Sequence, residues 1–240
     1  MMKPEELTQR IQDALQDKLQ AVILYGSAAE GDFTGTHSDY NILVVTRQLG
    51  IAELDALAGP THEWSRKGNP PPLLFTRERL EQSADVFPIE LLDMQDAHTV
   101  LCGEDVIESI HVDTANLRLQ IEHELRGKLI TLRQAYLGTN AKPRRIINLM
   151  IDSLSSFLVL FRAALRLFQD NVPTKKMDAL KILAEKIEFD TGVFETVDAL
   201  KRGREKTNAV DASALFSRYL GTIEQVVDEV DQYISEHSNK

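Results

Sequence analysis

Apolar residues recur along this chain with two different periods, and the change from one to the other divides it. Residues 4–19 carry Leu7, Ile11 and Leu15 four apart, the spacing of one helical face. The run AVILYGS then reads as a buried strand ending in a Gly-Ser turn. Residues 28–38 are small and polar, with Gly31 and Gly35, and predict a loop or a single helical turn. DYNILVV predicts a second strand and residues 50–58 a weak helix. GNPPPLLFT leads into a third strand, because its prolines forbid a helix there. RERLEQSAD predicts a short helix, VFPIELLDM (residues 86–94) a fourth strand and HTVLCG a fifth, shorter one.

From about residue 114 the pattern is helical only. One helix covers 114–138 and ends at Gly138. Pro143 suits the first position of a long helix running to about Gln169. The apolar residues of that helix, from Ile146 to Phe168, cover almost every face, as in the central member of a bundle. Thr174 is the expected cap of a third helix, residues 191–203 form a fourth, and Asp211 caps the last. The expected fold class is α+β: a mixed sheet with flanking helices over residues 1–110, then a C-terminal helical bundle over residues 111–240.

Charge follows the same division. Of the net charge of −10, residues 1–113 hold −12 (8 Lys/Arg, 20 Asp/Glu) and residues 114–240 hold +2 (19 and 17). Phosphate neutralisation requires a basic face, so general nucleic-acid binding is not expected. No apolar run approaches the length needed to span a bilayer, the N-terminus has no apolar core of a secretory signal, and Cys102 is the single cysteine. No membrane association and a cytoplasmic location are the expectations. The six histidines show no metal-ligand spacing.

Candidate chemistry concentrates in VILYGSAAEGDFTGTHSDYNILVV. A strand delivers Gly26 and Ser27 to a turn. Gly26 permits close approach of backbone to a phosphate, and Ser27 offers a hydroxyl and a backbone N–H to phosphate oxygens. Twelve residues later Asp39 opens the next strand. Positions 39 and 41 share a face of that strand, so Asp39 and Asn41 aim together at whatever the turn holds. Two oxygen donors beside a phosphate cradle suit Mg²⁺ on a triphosphate.

This stretch resembles the nucleotidyltransferase superfamily, and more closely its aminoglycoside adenylyltransferase branch: an apolar strand, Gly-Ser, a loop of about ten residues, then Asp-x-Asp/Glu. The resemblance implies a nucleotidyltransferase-like, nucleotide-binding first domain and a helical domain shaping an acceptor or partner site. It implies that Gly26 and Ser27 hold ATP or another nucleoside triphosphate, and that Asp39 binds Mg²⁺ or Mn²⁺. It also implies a third acidic residue on a later strand, as metal ligand or base. Glu90 is the best match and Asp93 the second, on the opposite face of a regular strand. The chain departs from the family pattern at Asn41, which brings an amide oxygen without charge where a carboxylate is expected.

The function implied is metal-dependent transfer of a nucleoside monophosphate to a hydroxyl of a small-molecule or protein acceptor. Two alternatives remain open at this point. Asn41 is compatible with a catalytically impaired nucleotide binder or sensor. The helical bundle is compatible with a partner-binding protein of toxin–antitoxin type, if apolar positions on its surface are exposed.

Overall fold

The computed structural model describes residues 2–26, 28, 29 and 40–237. Two compact units emerge, Met1–Leu117 and Arg118–Lys240. In the first, strands β1 (Leu19–Tyr25), β2 (Asn41–Thr46), β3 (Leu73–Thr76) and β4 (His98–Gly103) form one sheet in the order β3-β2-β1-β4. β1 runs antiparallel to both β2 and β4, while β2 and β3 are parallel.

Alternation along β1 and β2 builds a core on each face of this sheet. Ala21, Ile23, Leu43 and Val45 face helices α3 (Arg77–Gln82) and α4 (Pro88–Asp96), through Leu80, Leu91 and Met94. Val22, Leu24, Ile42 and Val44 face α1 (Pro4–Leu15) and α2 (Ile51–Ser65), through Leu7, Ile11, Leu57 and Trp64. Burial on both faces explains why the middles of these strands, Ala21–Leu24 and Ile42–Val45, are apolar at every position.

Three sequence expectations need correction in this unit. The segment read as a fourth strand is the helix α4. Pro88 occupies its first turn, and the buried Pro88, Ile89, Leu91 and Met94 recur at helical spacing. The weak helix at 50–58 extends to Ser65 through an internal Pro60, anchored by the fully buried Trp64, whose Nε1–H donates to the Pro70 carbonyl at 2.9 Å. The first helix stops at Leu15 and tightens into a 3₁₀ turn over Gln16–Lys18.

The second unit contains α5 (Thr114–Gly138, from its fifth residue onward), α6 (Pro143–Leu165), α7 (Lys176–Ile187), α8 (Gly192–Lys201) and α9 (Ala212–His237). α6 is central and packs against α7, α8 and α9. Phe157, Phe161, Phe194 and Tyr219 interlock at its middle, with ring centroids 5.3–6.2 Å apart. Lys175, not Thr174, is the N-cap of α7; the Thr174 carbonyl instead accepts from Arg162 Nη1 at 2.9 Å. Asp211 caps α9 as expected, accepting from the backbone N–H of Ser213 and Ala214. Among the described helices α6 is long and apolar enough to cross a bilayer by length and composition, which amends the sequence reading; 56% of its most apolar window is already buried inside the protein.

Candidate functional site

The turn that follows β1 is built around a left-handed glycine. Gly26 has φ +76°, a conformation costly for any residue with a Cβ. Its N–H donates to the Ala97 carbonyl at 2.9 Å, and its own carbonyl accepts from Ala29 N–H at 2.8 Å. The chain is thus pinned on one side by the C-cap of α4 and folded back on the other.

Asn41 lies directly against this turn. A methyl group added at Gly26 would sit 3.4 Å from Asn41 Nδ2. The register explains the contact: Tyr25 pairs with Asn41 on β2 and with His98 on β4. Residues directly opposite one another share a face, so Asn41, Tyr25 and His98 form a row across the end of the sheet. It is the face of Ile23, Leu43 and α4, since Tyr25 packs against that core. Burial pushes the Tyr25 phenol above its ordinary pKa.

His98 ties this row to α4 and to the following loop. Its Nδ1 lies 2.9 Å from the Met94 carbonyl and its Nε2 2.9 Å from Asp105 Oδ2. Asp105 Oδ1 accepts in turn from the N–H groups of Ile107 and Glu108, at 3.1 and 3.2 Å. Burial alone would raise the Asp105 carboxyl, but the hydrogen bonds from His98, Glu108 and Ile107 outweigh it and hold the group below its ordinary value. On the other side, Asn69 is buried and its Oδ1 accepts from the Tyr40 N–H at 3.4 Å, next to Asn41. Sequence reasoning missed both fixings. The only signal was a polar residue at each sheet end, which a short strand commonly carries.

Of the residues expected at the site, Gly26 and Asn41 are brought together. Ser27 and Asp39 lie outside the described residues. Glu90 does not project from a strand: it is exposed in the first turn of α4, and Asp93, half-buried, follows one turn later. Three apart on a helix, the two carboxylates share a face, contrary to the opposed faces expected of a strand. Along the helix axis Asp93 is about 6 Å and Glu90 about 10 Å from Ala97, which holds Gly26.

The strand that does follow β2 beside it is β3, LLFT, and it has no acidic residue. Leu43 pairs with Leu73, so the register carried two residues back brings Pro71 level with Asn41. Among the described residues no group of three or more His, Cys, Asp and Glu side chains is arranged to hold a metal ion. The donor expected to come from a later strand is therefore absent from the strand next to Asn41, and the described side chains by themselves do not make a metal centre.

No family profile matches the chain. No curated protein matches it either. Among solved structures the chain is similar to spectinomycin adenyltransferase AAD(9) from Enterococcus faecialis, crystallised with ATP and spectinomycin. The TM-score is 0.59 at 14% identity, over 95% of this chain and 98% of that one. Both halves, sheet and helical bundle, take part in a match of that extent, which agrees with the α+β expectation and with the resemblance read from the Gly-Ser stretch. Along nearly its whole length, this chain shares the fold of that adenyltransferase.

Proposed function

We propose that this protein binds a nucleoside triphosphate, ATP in the first instance, at the Gly26 turn, and that its reaction is transfer of the nucleoside monophosphate to a hydroxyl of a small acceptor, the α–β phosphate bond breaking and pyrophosphate leaving. The observation that supports this most is the placement of Asn41 against a left-handed Gly26 at the sheet end of an adenyltransferase fold. Gly26 and Ser27 would hold the phosphates through backbone N–H and hydroxyl donors. Asp39 would hold a Mg²⁺ or Mn²⁺ ion with the Asn41 amide oxygen as a neutral companion. When bound, that ion would neutralise triphosphate charge in the transition state. Of the α4 carboxylates, Asp93 stands nearer the turn than Glu90, and either would serve to accept the acceptor's proton. The helical half is assigned recognition of the acceptor.

A second reading is favoured by a specific observation: Asn41 replaces a carboxylate and β3 supplies none. On this reading the site binds nucleotide and turns it over poorly or not at all. Transfer of labelled AMP from ATP with Mg²⁺ or Mn²⁺, across acceptors beginning with spectinomycin, separates the two. Transfer by the wild-type protein that is abolished in Asp39→Ala supports the transferase. ATP binding without transfer, with activity gained in Asn41→Asp, supports the impaired binder. Absence of ATP binding in every variant removes both.

A further inference from the structure

The outer face of α5 carries three large apolar side chains that no described part of the chain covers: Leu119 (67% exposed), Ile130 (54%) and Leu137 (79%). Their spacing puts all three on a single line down the helix, about 27 Å long. The opposite face does the ordinary work of the bundle, burying Ile121, Leu125, Leu129 and Leu132. The stripe is thus additional to what the fold needs.

Its neighbours are arranged about a centre. Leu119 and Leu137 lie nine residues either side of Lys128. Glu122 and Arg133 flank the same edge of the stripe at nearly equal distances from that centre, and His123 and Gln134 flank the other edge. Gly127 sits near the middle. A methyl group added there would meet nothing within 4 Å, so no contact among the described residues requires a glycine. A glycine in mid-helix costs roughly 1 kcal/mol relative to alanine, and an open helix surface at that point lets another helix approach closely.

We propose that this face binds a second copy of the same chain, the two α5 helices packing antiparallel about a two-fold axis near residue 128. Under that axis Leu119 of each copy meets Leu137 of the other, and Ile130 seats over Arg126 and Gly127. Glu122 faces Arg133 and His123 faces Gln134. An isologous contact requires such self-complementarity, of charge as well as shape. Glu122 already pairs with Arg126, Arg126 with Asp231 and Arg133 with Glu224 within one copy, so the charges are held in position on the helix surface. One helix pair is small beside the roughly 1,200–2,000 Å² of a standard interface, so the dimer is reversible, with a dissociation constant in the micromolar range.

Sedimentation velocity from about 1 μM to about 200 μM reads this directly. The expected result is a concentration-dependent shift toward twice the 27.0 kDa of one chain. Ile130→Glu, which places a carboxylate in the contact, weakens association on the order of a hundredfold. Its helical signal stays unchanged, because Ile130 is exposed in one copy. Leu119→Cys with Leu137→Cys in a Cys102→Ser chain gives a covalent dimer with a short bis-maleimide. A chain that stays monomeric throughout overturns the proposal. So does a dimer indifferent to Ile130→Glu, or a double-cysteine chain that yields no covalent dimer.

Discussion

Replacing Gly26 by alanine separates what that turn does for the fold from what it does for a ligand, and Gly103→Ala is its control. At Gly26 the obstacle is conformational. With φ at +76°, an alanine costs about 1–2 kcal/mol in backbone energy. Among the described residues the added carbon meets Asn41 Nδ2 alone, at 3.4 Å, an ordinary contact. For a chain of this size that corresponds to a fall in Tm of about 2–8 °C. At Gly103 the φ of +82° carries the same cost, but there the new carbon would stand 1.9 Å from the Gln20 carbonyl oxygen and 2.8 Å from its carbon. Those atoms belong to the neighbouring backbone and cannot rotate away, so the loss exceeds about 4 kcal/mol. Scanning calorimetry therefore ranks Gly103→Ala far below Gly26→Ala in stability. ATP titration ranks folded Gly26→Ala at least about tenfold weaker than wild type, because its methyl fills the approach to the turn. Gly26→Ala with wild-type ATP affinity, or Gly103→Ala with wild-type Tm, would refute the reasoning.

The other predictions concern charge. Asn41→Asp supplies the missing carboxylate beside Gly26, and Mg²⁺ or Mn²⁺ titration should show tighter cation binding than wild type in the presence of ATP. Glu53 is buried, and its carboxyl is held at about 2, first by the hydrogen bond from Lys18 Nζ (2.7 Å) and then by the Gly50 N–H (2.8 Å). A depressed carboxyl contributes stability that is complete above its unfolded value near about 4.3 and is lost as pH falls through the folded value. Wild-type Tm should therefore drop between those limits, and Glu53→Gln should start lower and respond less across the same window. The Asp105 carboxyl is lowered as well, so Asp105→Asn should reduce stability at neutral pH and lessen its loss in acid. His98→Ala removes the link from α4 to Asp105, and ATP affinity should fall with little change in helix content by circular dichroism.

What could be read in the sequence depended on how local each signal was. Strands β1 and β2 were legible because AVIL and ILVV are apolar at every position, as burial on both faces demands. The turn at Gly26 was legible because that glycine has a local conformational reason, the positive φ. VFPIELLDM was misread because a short apolar run suits a buried strand and a buried helix turn alike. Pro88 in the first helical position was the cue that should have decided it. The placement of His98 against Asp105, and of Asn69 against Tyr40, depends on the sheet register and on contacts 7 and 29 residues apart. No periodicity carries that. Exposure on α5 was equally out of reach, since a heptad-like stripe looks the same in sequence whether a chain covers it or not.

The central claim is a nucleotide site at the Gly26 turn, and isothermal titration of ATP with Mg²⁺ into the wild-type protein tests it most directly. Saturable binding of one nucleotide per chain is expected, weakened by Gly26→Ala and by Asp39→Ala. Wild-type protein that is folded and takes up no ATP, or that binds it equally well in both variants, would contradict it.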